Sequence, residues 1–223
     1  MGALVVVALA AVVIVSLSSG DGGPLGGIVG DDTPETPGFA FDTAKPKAVE
    51  TSTKPDHKQA VAAAQGPAEA VTQRIDDLYT AAFLDPGNWM DASYDDVLDF
   101  FDDEASDAAE EQIDVLTAGP GAPDAFDTIK PMPSTLKVHV LLDPEGVPRA
   151  VEGSARFVAR GTGSVGEVML VSKGQFVFEK TDGEWMVVSF SVQRNDEERE
   201  PKPGSSSSPG ASGSDEPSEA EAS

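Results

Sequence analysis

The chain has 223 residues, no cysteine, and 39 acidic against 15 basic side chains, for a formal charge of -24. Without cysteine there are no disulfides, no thiolate chemistry and no cysteine-based zinc sites. The acidic balance argues against nucleic acid, which is held by basic stripes that this sequence lacks, and reads as a solubilising surface.

In chain order, Gly2 to Leu17 is nearly continuous Ala, Val, Leu and Ile without a charge, a membrane or export segment. At about 1.5 Å per residue it reaches roughly 24 Å, short of the usual span of about 30 Å. No Lys or Arg precedes Lys45, so the positive-inside rule has little to count; a native start upstream of Met1 with a basic flank would account for this. Residues 1–18 are read as an uncleaved single-pass anchor. Ser16-Leu17-Ser18 has the small-residue spacing that signal peptidase favours, so secretion after cleavage is the alternative. Residues 19–65, rich in Gly, Pro, Thr and Asp as far as Asp56, predict a disordered linker in which Phe39 and Phe41 are unstructured.

A helix is predicted from Gly66-Pro67, since proline in a first turn lacks only an N–H that would go unpaired. Alanines from Ala60 to Ala64 add a turn or two before it. Val71, Ile75, Leu78 and Ala82 recur at helical spacing until Asp85-Pro86-Gly87 stops them. Ser93 and Asp96 resemble a capping box, with Tyr94, Val97, Leu98 and Phe101 following at helical intervals. A third helix is expected over Asp103–Thr117, with Ala105, Ala109, Ile113 and Leu116 inward and an acidic outer face. The proline-rich loop Ala118–Ser134 is pinned by Phe126, Ile129 and Met132.

From Leu136 the period changes to two. Leu136, Val138, Val140 and Leu142 alternate up to the turn Asp143-Pro144-Glu145-Gly146. Val151, Ala155, Phe157 and Ala159 share one parity, with Glu152, Ser154, Arg156 and Arg160 on the other. Val168, Leu170, Phe176 and Phe178, then Met186, Val188, Phe190 and Val192, complete two more strands. A two-residue Asp182-Gly183 loop would pair Phe178 with Val187 and split the apolar residues between faces. The expectation is therefore a three-residue loop, Thr181-Asp182-Gly183, with a bulge at Gly183, Phe178 opposite Met186 and Phe176 opposite Val188. Residues 196–223, without an aromatic, predict a disordered acidic tail.

The fold class is α+β: an N-terminal hydrophobic helix, then about three helices packed on a curved antiparallel sheet of about four strands. This order resembles the nuclear-transport-factor-2-like, or cystatin-like cone, domain, here over residues 66–195. The anchor, the linker and the strand Gly183-Glu184-Trp185-Met186-Val187-Val188-Ser189-Phe190 look like those of the mammalian-cell-entry-associated membrane proteins of high-GC bacteria. The resemblance implies a folded domain outside the cytoplasm. It also implies a cone-shaped cavity that binds a small molecule, hosts catalysis or is simply filled.

No P-loop, dinucleotide glycine motif, metal helix or nucleophile elbow occurs, and no catalytic, cofactor-binding or metal-binding residue is assigned. The run Asp95, Asp96, Asp99, Asp102, Asp103, Glu104, Asp107 lacks the ligand alternation of a calcium loop and reads as solvated helix faces. Tyr79, Trp89 and His139 are the candidates for a cavity, although His139 falls by parity with Lys137 and Leu141, opposite the apolar face. Val171, Val177, Trp185 and Val187 are expected to form an apolar second sheet face, an interface for a second copy or an envelope membrane protein. The predicted function is a membrane-tethered, non-catalytic cell-envelope protein acting as an interaction or assembly module. The alternative is a small-molecule-binding protein or a cone-fold enzyme, polyketide-cyclase-like or isomerase-like, using the cavity. A filled apolar interior favours the first; an open pocket with convergent polar groups favours the second.

Overall fold

The structure, a computed structural model, describes residues 35–50, 57–164 and 166–199. The expected anchor over residues 1–18, the linker up to residue 34 and over 51–56, and the tail beyond residue 199 lie outside them. Within the described residues the chain is α+β, with seven strands and six helices.

Helix α1 spans His57–Tyr79 and carries Pro67 in its interior, so it begins well before the expected proline start. An interior proline removes a hydrogen bond and usually costs about 3 kcal/mol or more. Ala60, Ala64 and Ala68 carry the stripe of Val71, Ile75 and Leu78 back across it, all at most 2% exposed, and this packing outweighs the local signal. The chain continues into a π-helical turn, Thr80–Leu84, closed by Asp85 N–H donating to Thr80 O at 2.8 Å. That wider turn buries three successive residues, Ala82, Phe83 and Leu84. Asp85 then caps α2, Pro86–Trp89, accepting from Gly87 N–H at 2.9 Å.

The helix expected from Ser93 is a single turn, α3, Asp95–Leu98, with Tyr94 rather than Ser93 at its cap. Tyr94 is buried and its hydroxyl donates to Gly119 O at 3.0 Å, so tertiary anchoring sets where this turn begins. The helix expected over Asp103–Thr117 breaks at Gln112 into α4, Asp103–Glu111, and α5, Ile113–Leu116. Asp102 caps α4 by accepting from Ala105 N–H at 2.8 Å. The expected loop over 118–134 contains α6, Ala122–Ala125, and a strand, Thr128–Pro131, between which Phe126 is buried.

The sheet is mixed and seven-stranded, rather than four-stranded and antiparallel. In chain order its strands are β1 Asp42–Thr43, β2 Lys47–Glu50, β3 Thr128–Pro131, β4 Thr135–Leu142, β5 Pro148–Gly163, β6 Gly166–Thr181 and β7 Glu184–Arg199. β4 to β7 form the antiparallel meander that alternation predicts, and β3 pairs with β5 beyond the end of β4. β1 and β2 pair parallel with the other edge of β4. This corrects the linker: residues 35–50 belong to the fold. The free edge of β4 offers backbone groups that need partners, and Phe41, 6% exposed, packs edge-on against Tyr79 at 5.2 Å while its N–H donates to Asp76 Oδ1 at 2.9 Å. At the other edge β7 runs past the expected tail boundary, pairing Asp196 with Leu170 and Arg199 with Glu167. Its acidic side chains there suit an edge strand, since charge discourages further pairing.

The last hairpin overturns the expected register. Lys180 faces Trp185, Thr181 faces Glu184, and Phe178 faces Val187. The loop is the two-residue Asp182-Gly183, with positive φ at both residues (52° and 95°), as a type I′ turn requires. The core is nevertheless not split, because a bulge displaces the register between Val177 and Phe178: Val177 faces Ser189 and Phe176 faces Phe190. The extra residue on β7 is Val188. It reverses the parity, so that Trp185 and Val187 before it and Phe190 and Val192 after it point the same way. The bulge is clipped from outside the sheet. Val187 N–H donates to Phe100 O at 2.9 Å, and Asp102 N–H donates to Val187 O at 3.0 Å, which ties the α3–α4 connection to the strand edge.

Candidate functional site

The inner face of the sheet meets α1 in an aromatic cluster. Tyr79 stacks on Phe83 at 5.7 Å, lies 5.1 Å from Phe157 and meets Phe176 edge-on at 6.1 Å. Its hydroxyl pairs with the buried Ser172 Oγ at 3.3 Å. Burial pushes the Tyr79 phenol up to about 12, partly offset by Ser172, so it stays protonated at neutral pH. A gap between Leu78, Tyr79, Ala82, Leu116, Phe176 and Val192 has no room for a water molecule. The backbone itself makes space for this packing: a Cβ on Gly174 would lie 2.4 Å from the Phe176 ring and 2.7 Å from Tyr79 Oη. Tyr79 is therefore a core residue. Trp89 is also fully buried, and its indole N–H has no partner.

His139 is not in the interior. As its parity predicts, it lies on the outer face, half-exposed, with Nδ1 4.0 Å from Glu152 Oε2 across the β4–β5 ladder. The four residues expected to share an outer apolar face are divided. Val171 and Val177 are there and half-buried, but Trp185 and Val187 are inside, at 8% and 0% exposure. The bulge at Val188 is the reason, since it moves the inward parity onto the residues that a regular strand would turn outward.

What the outer face carries instead is polar. The β4–β7 registers set Thr135, Arg156, Lys173 and Gln193 in one row across the sheet. The next row is Lys137, Ser154, Gln175 and Ser191. Together they line a shallow hollow of about 490 Å³. Val158 and Val171 flank it on one side and Val177 on the other. Lys137 and Arg156 fall opposite the apolar positions of their strands, so their outward direction is readable. That Arg156 stands beside Lys173 depends on the β5–β6 register, which alternation within each strand does not contain.

A second, larger groove of about 980 Å³ lies between α1 and the β1–β2 stretch. Ala48, Val61, Ala68 and Val138 form its apolar lining, and Lys45, Lys47 and Glu69 are among its polar residues. Among the described residues no three His, Asp or Glu side chains come together to hold a metal ion, and no helix is long and apolar enough to cross a membrane. Comparison with family models, curated proteins and solved structures returns no match.

Proposed function

We propose that the chain is a membrane-tethered, non-catalytic cell-envelope protein whose nuclear-transport-factor-2-like domain acts as an interaction module through the outer face of its sheet. The tether is the apolar run Gly2 to Leu17, and the folded domain stands outside the cytoplasm. The observation that carries this reading is the filled interior. Where a cone fold would hold a substrate, Tyr79, Phe83, Phe157 and Phe176 pack against one another, and the gap beside them excludes water. Binding and catalysis need convergent polar groups around open space. Here those groups lie on the outer face.

The test is crosslinking in intact cells with a photoreactive residue at Gln175, which is exposed on that face. A reproducible crosslink to an envelope protein is expected. No crosslink from Gln175 or Ser191, with the domain folded, would defeat the reading. The groove between α1 and β1–β2 favours a second reading, a small-molecule-binding protein. A metabolite retained by the native chain and lost on Val61→Glu would put that reading first.

A further inference from the structure

We propose that the hollow at the centre of the outer sheet face is a binding site for a phosphate group carried on a hydroxylated compound, such as a polyol or sugar phosphate. This deepens the interaction-module reading by naming what the face recognises, and it rests on that reading for the choice of face.

The argument starts from charge. In a chain of formal charge -24, Lys137, Arg156 and Lys173 gather in two adjacent rows of one sheet face, and the one carboxylate in those rows, Asp42, stands at the β1 end beyond Thr135 and outside the lining of the hollow. Arg156 and Lys173 are direct cross-strand partners, an arrangement that like charge makes unfavourable. Nearby carboxylates are engaged elsewhere on the face: Glu152 lies near His139 and Glu167 near Arg160. Among the described residues none of the three cations takes part in an ion pair. The repulsion between Arg156 and Lys173 is thus left standing by the fold, and an anion seated between them would remove it.

The chemistry of the ligand follows from the donors. The Arg156 guanidinium supplies a planar fork that fits two oxygens of one oxyanion, and the two ammonium groups add point charges. Three cations match the higher charge of a phosphate ester better than a single carboxylate. Around them Ser154, Gln175 and Ser191 offer hydroxyl and amide groups, which both donate and accept and so suit the hydroxyls of a polyol or sugar. The hollow, at about 490 Å³, is the size of a small-ligand site. A second copy of the chain fits less well, because a two-fold axis on this face would set the cations against their own symmetry mates.

The experiment is calorimetric titration of the full chain, purified in mild detergent at low salt, with glycerol 3-phosphate, and with malate as a dicarboxylate control. Saturable binding of glycerol 3-phosphate over malate is expected, weakened about tenfold or more in Arg156→Gln and in Lys173→Gln and reduced by added salt. Both variants should melt no lower than the parent, since each relieves the like-charge pair. A third titrant, short-chain phosphatidylglycerol against short-chain phosphatidylcholine, distinguishes the sources. Tighter binding of phosphatidylglycerol than of glycerol 3-phosphate assigns a lipid headgroup, and the reverse assigns a free ester. No binding of any phosphate probe, equal binding of malate, or binding unchanged in folded variants would overturn the site. If the Gln175 crosslink persists while the titration is silent, only this inference fails. If the titration succeeds and no envelope protein is crosslinked, only the interaction-module reading fails.

Discussion

Replacing Phe41 by alanine should destabilise the domain by about 3–5 kcal/mol, the usual cost of truncating a buried phenylalanine. The ring is 6% exposed and touches three others, Phe39 at 4.9 Å, Tyr79 at 5.2 Å and Phe157 at 6.4 Å. The surrounding shell of α1 and β5 cannot collapse into the space without moving Tyr79, which Ser172 holds by its hydroxyl. The upper limit is set elsewhere. Residues 35–50 lie along one edge of the sheet, tied by parallel pairing at 42–43 and 47–50 and by the Phe41 N–H bond to Asp76. Undocking that stretch alone abolishes the penalty, so the loss of global stability cannot exceed the free energy with which it is docked. Two readouts separate the regimes. Urea denaturation followed by fluorescence of the buried Trp89 and Trp185 reports the whole domain, and hydrogen exchange of the amides of 42–50 reports local release. A loss within about 0.5 kcal/mol of zero, with those amides exchanging as in the parent, would refute the assignment of this stretch to the fold.

Inserting one alanine after Val188 should be far worse than deleting Val188, because the insertion turns Phe190 and Val192 out of the core and Ser191 and Gln193 into it, whereas the deletion removes only the extra residue and keeps Phe178 opposite Val187, Val177 opposite Ser189 and Phe176 opposite Phe190. The insertion is expected to abolish the cooperative urea transition and the deletion to shift it by about 2 kcal/mol or less; equal behaviour of the two would contradict the role of the bulge. Asp76 yields a prediction with a definite sign in pH. Burial raises its carboxyl above the ordinary 3.8, with the Phe41 N–H working the other way. The native state therefore binds this proton more tightly than the unfolded state, so the stability it confers is full below the ordinary value and is lost as pH rises through the native one. Asp76→Asn keeps an acceptor for Phe41 N–H without the charge. It should be at least as stable as the parent at pH 7, with the gap closing on acidification; a gap that widens as pH falls would reverse the assignment.

Much of the sheet was legible because a strand writes its buried face into its own sequence at every second residue. The strands of the β4–β7 meander, the outward direction of His139 and the inward run of Val151, Ala155, Phe157 and Ala159 all follow from that. The hairpin shows where such reading stops. Alternation exposes the conflict between a two-residue Asp182-Gly183 turn and a single buried face, yet it does not tell whether the turn or the strand yields. The strand yields, at Val188, because Phe100 and Asp102 from another part of the chain hold Val187 by its backbone. Half of the expected apolar interface went inside for this reason. The helices show the same limit: the Ala60, Ala64 and Ala68 stripe is visible, but only its packing against the sheet lets α1 run through Pro67.

The sequence by itself determined the fold class, the strand alternation and the acidic, cysteine-free composition, since these depend on neighbours along the chain. Tertiary structure alone decided that Phe41 belongs to the core with Phe39 packed against it, that Arg156 stands beside Lys173, and that the gap beside Tyr79 and Phe176 has no room for a water molecule. Each of these is a contact between distant segments. Its energy comes from burial and backbone pairing that no local pattern records, and it exists only once the free edge of β4 and the register of β5 on β6 are in place.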